Sequence, residues 1–262
     1  MSATRVPMSY RRIVAGARRR WTEWSSRDRW WLGRLIELSG NTVTVDGCTF
    51  SLDSPVIDTA LKSRFVIGGY ESGERAALVT ELDPSLPVIE MGGCLGVVGC
   101  LVNRRLAHPD RHVVVEAHPD LVTVLERNRD RNGARFNVVH AAVAYGRDVV
   151  EFHEGGNFLA GRLAREGGRR FTVRAVTLSQ LLDTSGFEQC TLICDIEGAE
   201  SDLIQKDAAA LAGRVVTLII EWHPYVLGAS GVTALQRQIE AMGFERRCET
   251  GAVSTYQNAR LR

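Results

Sequence analysis

No apolar run in the 262-residue chain approaches the roughly 20 residues needed to span a bilayer. The N-terminus has no apolar stretch of the kind that opens a secretory leader, so none is expected. The six cysteines, Cys48, Cys94, Cys100, Cys190, Cys194 and Cys248, form no CxxC pair and no metal-ligand spacing. Reduced thiols in a cytoplasm are therefore expected rather than a disulfide framework. Charge of one sign is missing as well. A net charge of +1 gives no whole-molecule attraction for nucleic acid, and no such partner is expected. Internal repeats and low-complexity tracts are also lacking. What is present, 45% hydrophobic and 24% charged residues, is the composition of a globular protein with a sizeable core.

The near-neutral total hides an asymmetry. Residues 1–34 hold nine arginines against Glu23 and Asp28, a net of +7, and the remainder carries about −6. Over residues 8–38 the apolar positions Tyr10, Val14, Ala17, Trp21, Trp24, Trp31, Leu35 and Leu38 fall on three- and four-residue steps, broken at Asp28. Two readings stand. A surface helix could touch anionic lipid at the inner membrane face, or a protein partner, through aromatic anchors. Alternatively, the stripe docks on the body while the arginines face water. Residues 1–40 are thus a basic, Arg/Trp-rich helical extension, and residues 41–262 form one α/β domain.

The domain opens with "NTVTVDGCTFSLD", two alternating runs around Asp46-Gly47, a strong hairpin signal. A helix is expected near "YESGERAALVTEL", ended by Pro84 and Pro87. Short β-branched runs then alternate with helical patterns: "PVIE", "HVVVEAH", "FNVVHAAV", "TLICDI" and "RVVTLIIEW". A hairpin-like region over 146–175 interrupts them, and the tail offers two more strands as an antiparallel edge pair. Strands alternating with helices imply a parallel sheet covered on both faces.

The first βα turn reads "VIEMGGCLGVVG". A glycine-rich passage from strand to helix lets backbone approach a ligand and aims helix N–H groups at it. The dinucleotide spacing G-x-G-x-x-G fails, because Cys94 stands two residues after Gly92. Glu90 at the strand end, then Gly92 and Gly96 four apart, suits a ligand with a cationic amino-acid moiety, such as S-adenosylmethionine. Glu116 ends the next strand, twenty residues beyond Gly96, where a carboxylate can accept both hydroxyls of a ribose.

From about Asn41 onward the chain resembles the FkbM-type family of S-adenosylmethionine-dependent methyltransferases. The matching motifs are "GGYESGE", "VIEMGGCLG", "VVEAHPD", "HAAVA", "VTLSQLL", "LICDIEGAE" and "EWHP", with the D-x-E-G-x-E run the most specific. The sequence departs at Cys94, where the family usually has asparagine, at Glu90, often aspartate, at Cys194, usually lysine, and at Ser179, usually aspartate. The resemblance implies a Rossmann-like class I methyltransferase fold, a mixed seven-stranded sheet of order 3-2-1-4-5-7-6. It also implies cofactor contacts from Glu90, Gly92, Gly93, Cys94, Gly96, Glu116 and the segment His140, Ala141 and Ala142. Ala117 and His118 lie beside Glu116 on the same edge, and Tyr70 and Glu71 are further candidates at the methionine end.

Methyl transfer to a hydroxyl is an in-line displacement in which positioning counts for much, and the hydroxyl needs a base or a Lewis acid. Asp195 should face the methyl group, and Glu221 and His223 end the neighbouring strand. Asp195 or His223 could accept the proton, with Glu197 and Glu221 as carboxylate neighbours. Alternatively, Asp195, Glu221 and His223 could bind a hard cation such as Mg²⁺. Glu197 and Glu200 could instead simply favour the start of the following helix. Cys94 and Cys194 invite a redox reading, against the plainer one of small neutral packing groups. The expectation is a cytoplasmic O-methyltransferase for a small-molecule or glycan acceptor: a sugar, glycolipid or polyketide-like metabolite. The alternatives are N-methylation of a small amine and a non-catalytic nucleoside-binding adapter acting through the N-terminal helix.

Overall fold

The structure, a computed structural model, describes residues 30–153 and 170–261. The apolar positions expected from Tyr10 to Trp24 and the tip of the 146–175 region lie outside these residues. Helix α1 (Trp30–Leu38) leads into a hairpin of β1 (Thr42–Val45) and β2 (Cys48–Ser51). Asp46 and Gly47 both take positive φ, +47° and +80°, as a two-residue turn matched to strand twist requires. Helices α2 (Thr59–Val66) and α3 (Ser72–Glu81) follow.

Strands and helices then alternate: β3 (Val88–Met91), α4 (Val97–Asn103), β4 (His112–Glu116), α5 (Pro119–Arg131) and β5 (Asn137–His140). Next come the short β6 (Ala142–Val143), β7 (Val149–His153) and β8 (Arg170–Val176), in which β7 and β8 pair antiparallel as the expected hairpin. The chain continues through α6 (Leu178–Ser185), β9 (Cys190–Cys194), α7 (Glu200–Lys206), α8 (Ala208–Arg214) and β10 (Val215–Glu221). It ends with α9 (Pro224–Leu227), α10 (Ala229–Ala241), β11 (Phe244–Thr250) and β12 (Val253–Asn258).

The main sheet has seven strands in the order β11-β12-β10-β9-β3-β4-β5. Counted from β3 as the first core strand, this is 3-2-1-4-5-7-6, the class I methyltransferase order. The five strands from β10 to β5 are parallel, and β12 and β11 add antiparallel at one edge. Alternate residues feed two separate cores. Val88, Val114, Ile193 and Ile219 pack under α2 to α5. Ile89, Met91, Val115, Leu192 and Leu218 pack against α6, α7, α8 and α10. A sheet apolar on both faces must be covered on both, so every βα turn opens at the same carboxyl edge. Among the described residues no helix is long and apolar enough to cross a membrane.

Helix α1 turns a different face to the body than the Trp/Leu spacing implies. Trp31, Leu35 and Leu38 are exposed, at 52%, 52% and 85%, so these members of the stripe do not dock. Contact runs instead through Ile36 and Gly33, where an added Cβ would come within 2.0 Å of the Thr59 carbonyl oxygen. The glycine lets α1 approach α2 backbone to backbone, and close approach decides the face. Glu37 seals it, accepting from Thr59 Oγ1 and Lys62 Nζ, both at 3.1 Å.

One buried side chain ties the hairpin to the sheet. Asn128 on α5 accepts from the Ser51 N–H at 2.7 Å and donates to Leu95 O at 2.9 Å, so β2 and the turn after β3 share one amide. Replacing Asn128 by alanine strands the buried Ser51 donor. We expect a loss of about 1–3 kcal/mol in urea denaturation; an unchanged midpoint would remove this role.

Candidate active site

The turn after β3 is closed by backbone. Gly92 and Gly93 N–H groups both donate to Val115 O at 2.9 Å, and Asp195 N–H donates to Met91 O at 2.9 Å. Gly92 has φ +94°, and a Cβ there would lie 1.9 Å from the Asp195 carbonyl oxygen. No residue but glycine fits. Gly93 is equally confined, with Leu125 and Val114 side-chain carbons 2.4 Å from the position of its missing Cβ. Gly96, at φ +78°, opens α4. Cys94 takes φ +43° between them, a conformation that asparagine tolerates better than most side chains. This accounts for the residue usual at that place in the family the sequence resembles.

Glu116 clamps this turn to the next one. Its Oε2 accepts from Cys94 N–H at 2.8 Å and its Oε1 from His118 N–H at 2.7 Å. Burial pushes its carboxyl up to about 7, against the pull of these backbone donors. Ala141 N–H donates to Glu116 O at 3.1 Å, and His140 Nε2 lies 3.1 Å from Ala117 O. Glu116, Ala117, His118, His140, Ala141 and Ala142 therefore form one contiguous edge. Phe171 of β8 adds an aromatic wall, edge-on to His118 at 5.0 Å and stacked on Phe152 at 5.3 Å.

On the other side of Gly92, Tyr70 donates from its hydroxyl to Cys94 Sγ at 3.2 Å. Glu71 sits at φ +47°, and burial raises its carboxyl to about 8. Glu90 is buried in the sheet, where burial also raises its carboxyl well above the usual range. Its Oε2 lies 3.6 Å from Nε2 of His112, whose imidazole burial pushes down to about 3. Glu71, Glu74, Glu90, Met91, Gly92 and Asp195 line one small cavity.

The turn after β9 supplies the acids. Asp195 follows the strand, Glu197 takes φ +52°, and Gly198 at φ +109° lets the chain reverse under Val226. His223, capping α9 from the neighbouring strand β10, reaches across to them. Its Nε2 makes ion-pair contacts with Asp195 Oδ1 at 3.2 Å and Glu197 Oε2 at 3.5 Å. Its Nδ1 binds Glu200 Oε1 at 2.7 Å. Burial opposes charge on this imidazole, yet the carboxylates of Asp195, Glu200 and Glu197 override it and hold it up to about 11. Burial lifts Glu197 to about 7, while His223 and a hydrogen bond from the Tyr225 hydroxyl pull it down.

Glu200 is fully buried against His223, a role beyond starting α7. The only sequence signal for it was its place in the D-x-E-G-x-E run. Glu74 closes the "GGYESGE" motif but was not singled out as a site residue, and Tyr225, just past "EWHP", carried no signal of its own. Among the described residues, three of the five non-glycine positions with positive φ, Glu71, Cys94 and Glu197, belong to this site. Such strain concentrates where geometry serves function. All six cysteines are free, and burial raises the Cys94 and Cys194 thiols well above their usual range, so both pack as neutral thiols.

The residues Asp195, Glu221 and His223, expected as one cation set, divide into two. Asp195, Glu197 and His223 converge in one group, and Glu74, Asp195 and Glu221 in another.

No protein-family model matches the chain, and no curated protein matches it. Solved structures similar to it include an O-methyltransferase from Bacillus cereus in complex with SAH, 12% identical over 72% of this chain and 81% of that one, TM-score 0.43. A precorrin-6y C5,15-methyltransferase from Geobacter metallireducens is 13% identical over 70% and 87%, TM-score 0.44. A ribosomal protein L11 methylase from Lactobacillus delbrueckii is 10% identical over 70% and 74%, TM-score 0.41.

The site sets a pH dependence. Glu116 and Glu197 have folded values near 7, above the ordinary 4.5, and His223 lies near 11, above 6.5. A group raised by folding contributes stability that is complete below its unfolded value and lost as pH climbs through its folded value. The urea midpoint of the ligand-free protein should therefore fall between about pH 5 and pH 8, and continue falling toward pH 11. A midpoint that rises across the first window would contradict this electrostatic picture.

Proposed function

We propose that this chain is a methyltransferase that carries a methyl group from S-adenosylmethionine to a hydroxyl oxygen of a sugar, glycolipid or polyketide-like metabolite in the cytoplasm. The observation that carries the reading is the glycine turn closed on the Asp195 backbone, with the Glu116 carboxylate on one flank and an acid-bound histidine on the other. The residues present fit the cofactor. Gly92 leaves a space that a Cβ would fill, the Glu116 carboxylate can accept ribose hydroxyls, and Glu71 Oε2 is buried without a hydrogen-bond partner. The cofactor supplies a methyl group activated on a sulfonium.

The chain's own residues supply position and proton transfer. His223, held protonated far above neutral pH, is not the proton acceptor; it fixes the Asp195 carboxylate. Glu200 holds the other ring nitrogen and so sets the orientation of the imidazolium. Asp195 is then the group that takes the proton of the acceptor hydroxyl as the oxygen–methyl bond forms. Glu197 and the Tyr225 hydroxyl bound to it offer further polar groups to an acceptor rich in hydroxyls. Among the described residues, the excess of carboxylates over cations in this cleft also favours a second reading, in which the acceptor is a small amine.

Calorimetry should show S-adenosylhomocysteine binding at sub-millimolar concentration, and no binding would remove the methyltransferase reading. In a methyl-transfer screen over glycans, hydroxylated metabolites and amines, Asp195→Ala should abolish turnover while circular dichroism stays native. Turnover that survives the substitution would sink the assignment of Asp195.

A further inference from the structure

The two groups that share Asp195 differ in charge. In one, the imidazolium of His223 stands against Asp195 and Glu197, and both ring nitrogens face carboxylates. In the other, Glu74 from α3, Asp195 from the turn after β9 and Glu221 from the end of β10 each bring one carboxylate oxygen within 4.8 Å of the others. The strongest influences on Glu74 are burial and then Glu221, by charge and by a side-chain hydrogen bond, followed by the carboxylates of Asp195 and Glu71, all of which favour its protonated form when no cation is bound. Glu74 is only 5% exposed, and its Oε1 has no hydrogen-bond partner although the residue lines the cavity beside Gly92 and Asp195. A buried carboxylate oxygen without a partner is costly, and a bound cation removes the cost.

We infer that Glu74, Asp195 and Glu221 form a binding site for a hard divalent cation of the Mg²⁺ or Mn²⁺ class. Three carboxylates with no nitrogen or sulfur donor match the preference of these ions. Around an octahedral ion of this class, oxygens at about 2.1 Å stand roughly 3 Å apart as neighbours and about 4.2 Å apart across the ion, so carboxylate oxygens lying within 4.8 Å of one another need only draw inward to coordinate it. His223 lies outside the set because carboxylates already occupy both of its nitrogens. The site needs Glu74, which α3 delivers because Gly73 packs against β12: a Cβ there would meet Val253 Cγ2 at 2.6 Å. The inference shares its cleft with the methyl-transfer reading but does not depend on cofactor binding, so the two fail separately.

The test uses the full chain, stripped with a chelator and titrated with Mn²⁺ by calorimetry and electron paramagnetic resonance, with and without S-adenosylhomocysteine. One Mn²⁺ should bind per chain. Glu74→Gln and Glu221→Gln, each nearly isosteric and checked for native circular dichroism, should each weaken binding by about tenfold or more. His223→Gln should retain it. Absence of Mn²⁺ binding by the folded protein overturns the proposal, as does binding that survives both carboxylate substitutions. If S-adenosylhomocysteine binds, Mn²⁺ does not, and Glu74→Gln weakens the nucleoside instead, the cation site is overturned. The three carboxylates then belong to the cofactor's own charges, and the methyl-transfer reading stands.

Discussion

The approach of Gly92 to the carbonyl of Asp195 is the constraint on which the rest of the molecule depends. Two parallel strands, β3 and β9, end side by side, and the chain leaves both at the same level. Only a residue without a Cβ permits that crossing. Once it is made, the Gly92 and Gly93 amides are directed to Val115 and the Asp195 amide to Met91. Three strands are pinned at one point, and the side chains that follow each strand are brought to a common edge. Backbone geometry comes first here, and the chemistry of the acids is laid over it.

That overlay is unusual in sign. Glu71, Glu74, Glu90 and Glu116 are all pushed upward by burial, and neighbouring carboxylates add to the push. His223 is the counterweight, and its positive charge is spent on Asp195, Glu197 and Glu200. In the half of the cleft nearer Glu74, neighbouring carboxylates press on one another, and Arg64 is among the influences that pull Glu71 back down. The ligand-free protein therefore holds protons where a cationic ligand would stand, an arrangement that favours positive charge entering the cleft.

Much of the architecture could be read from the sequence. The alternation of β-branched runs with helical spacing foretold the parallel sheet, Asp46-Gly47 the hairpin, and the family resemblance the strand order. The glycine turn and Glu116 were legible because their chemistry is local: residue type and spacing suffice. What escaped were contacts made across the sheet. Helix α1 is apolar on most sides, so periodicity could not say which side would dock, and Gly33 decided it through close approach to Thr59. Glu74 closes the "GGYESGE" motif, but helical spacing alone does not say that it faces inward; the packing of Gly73 on Val253 shows it. Glu200 reads as a helix-start acid, and only the strand register that carries His223 across to it reveals the pair.

Glu116 has a consequence of another kind. One carboxylate receives an amide from the turn after β3 and another from the turn after β4, so the two turns are held at a single fixed separation. Neither can lengthen, shorten or rotate alone without breaking the other's hydrogen bond. Over evolutionary time the two turns must therefore change together or not at all. The opposite flank is joined by longer levers: His223 and Tyr225, which follow β10, reach over to the carboxylates that follow β9, so those two turns are coupled through flexible side chains.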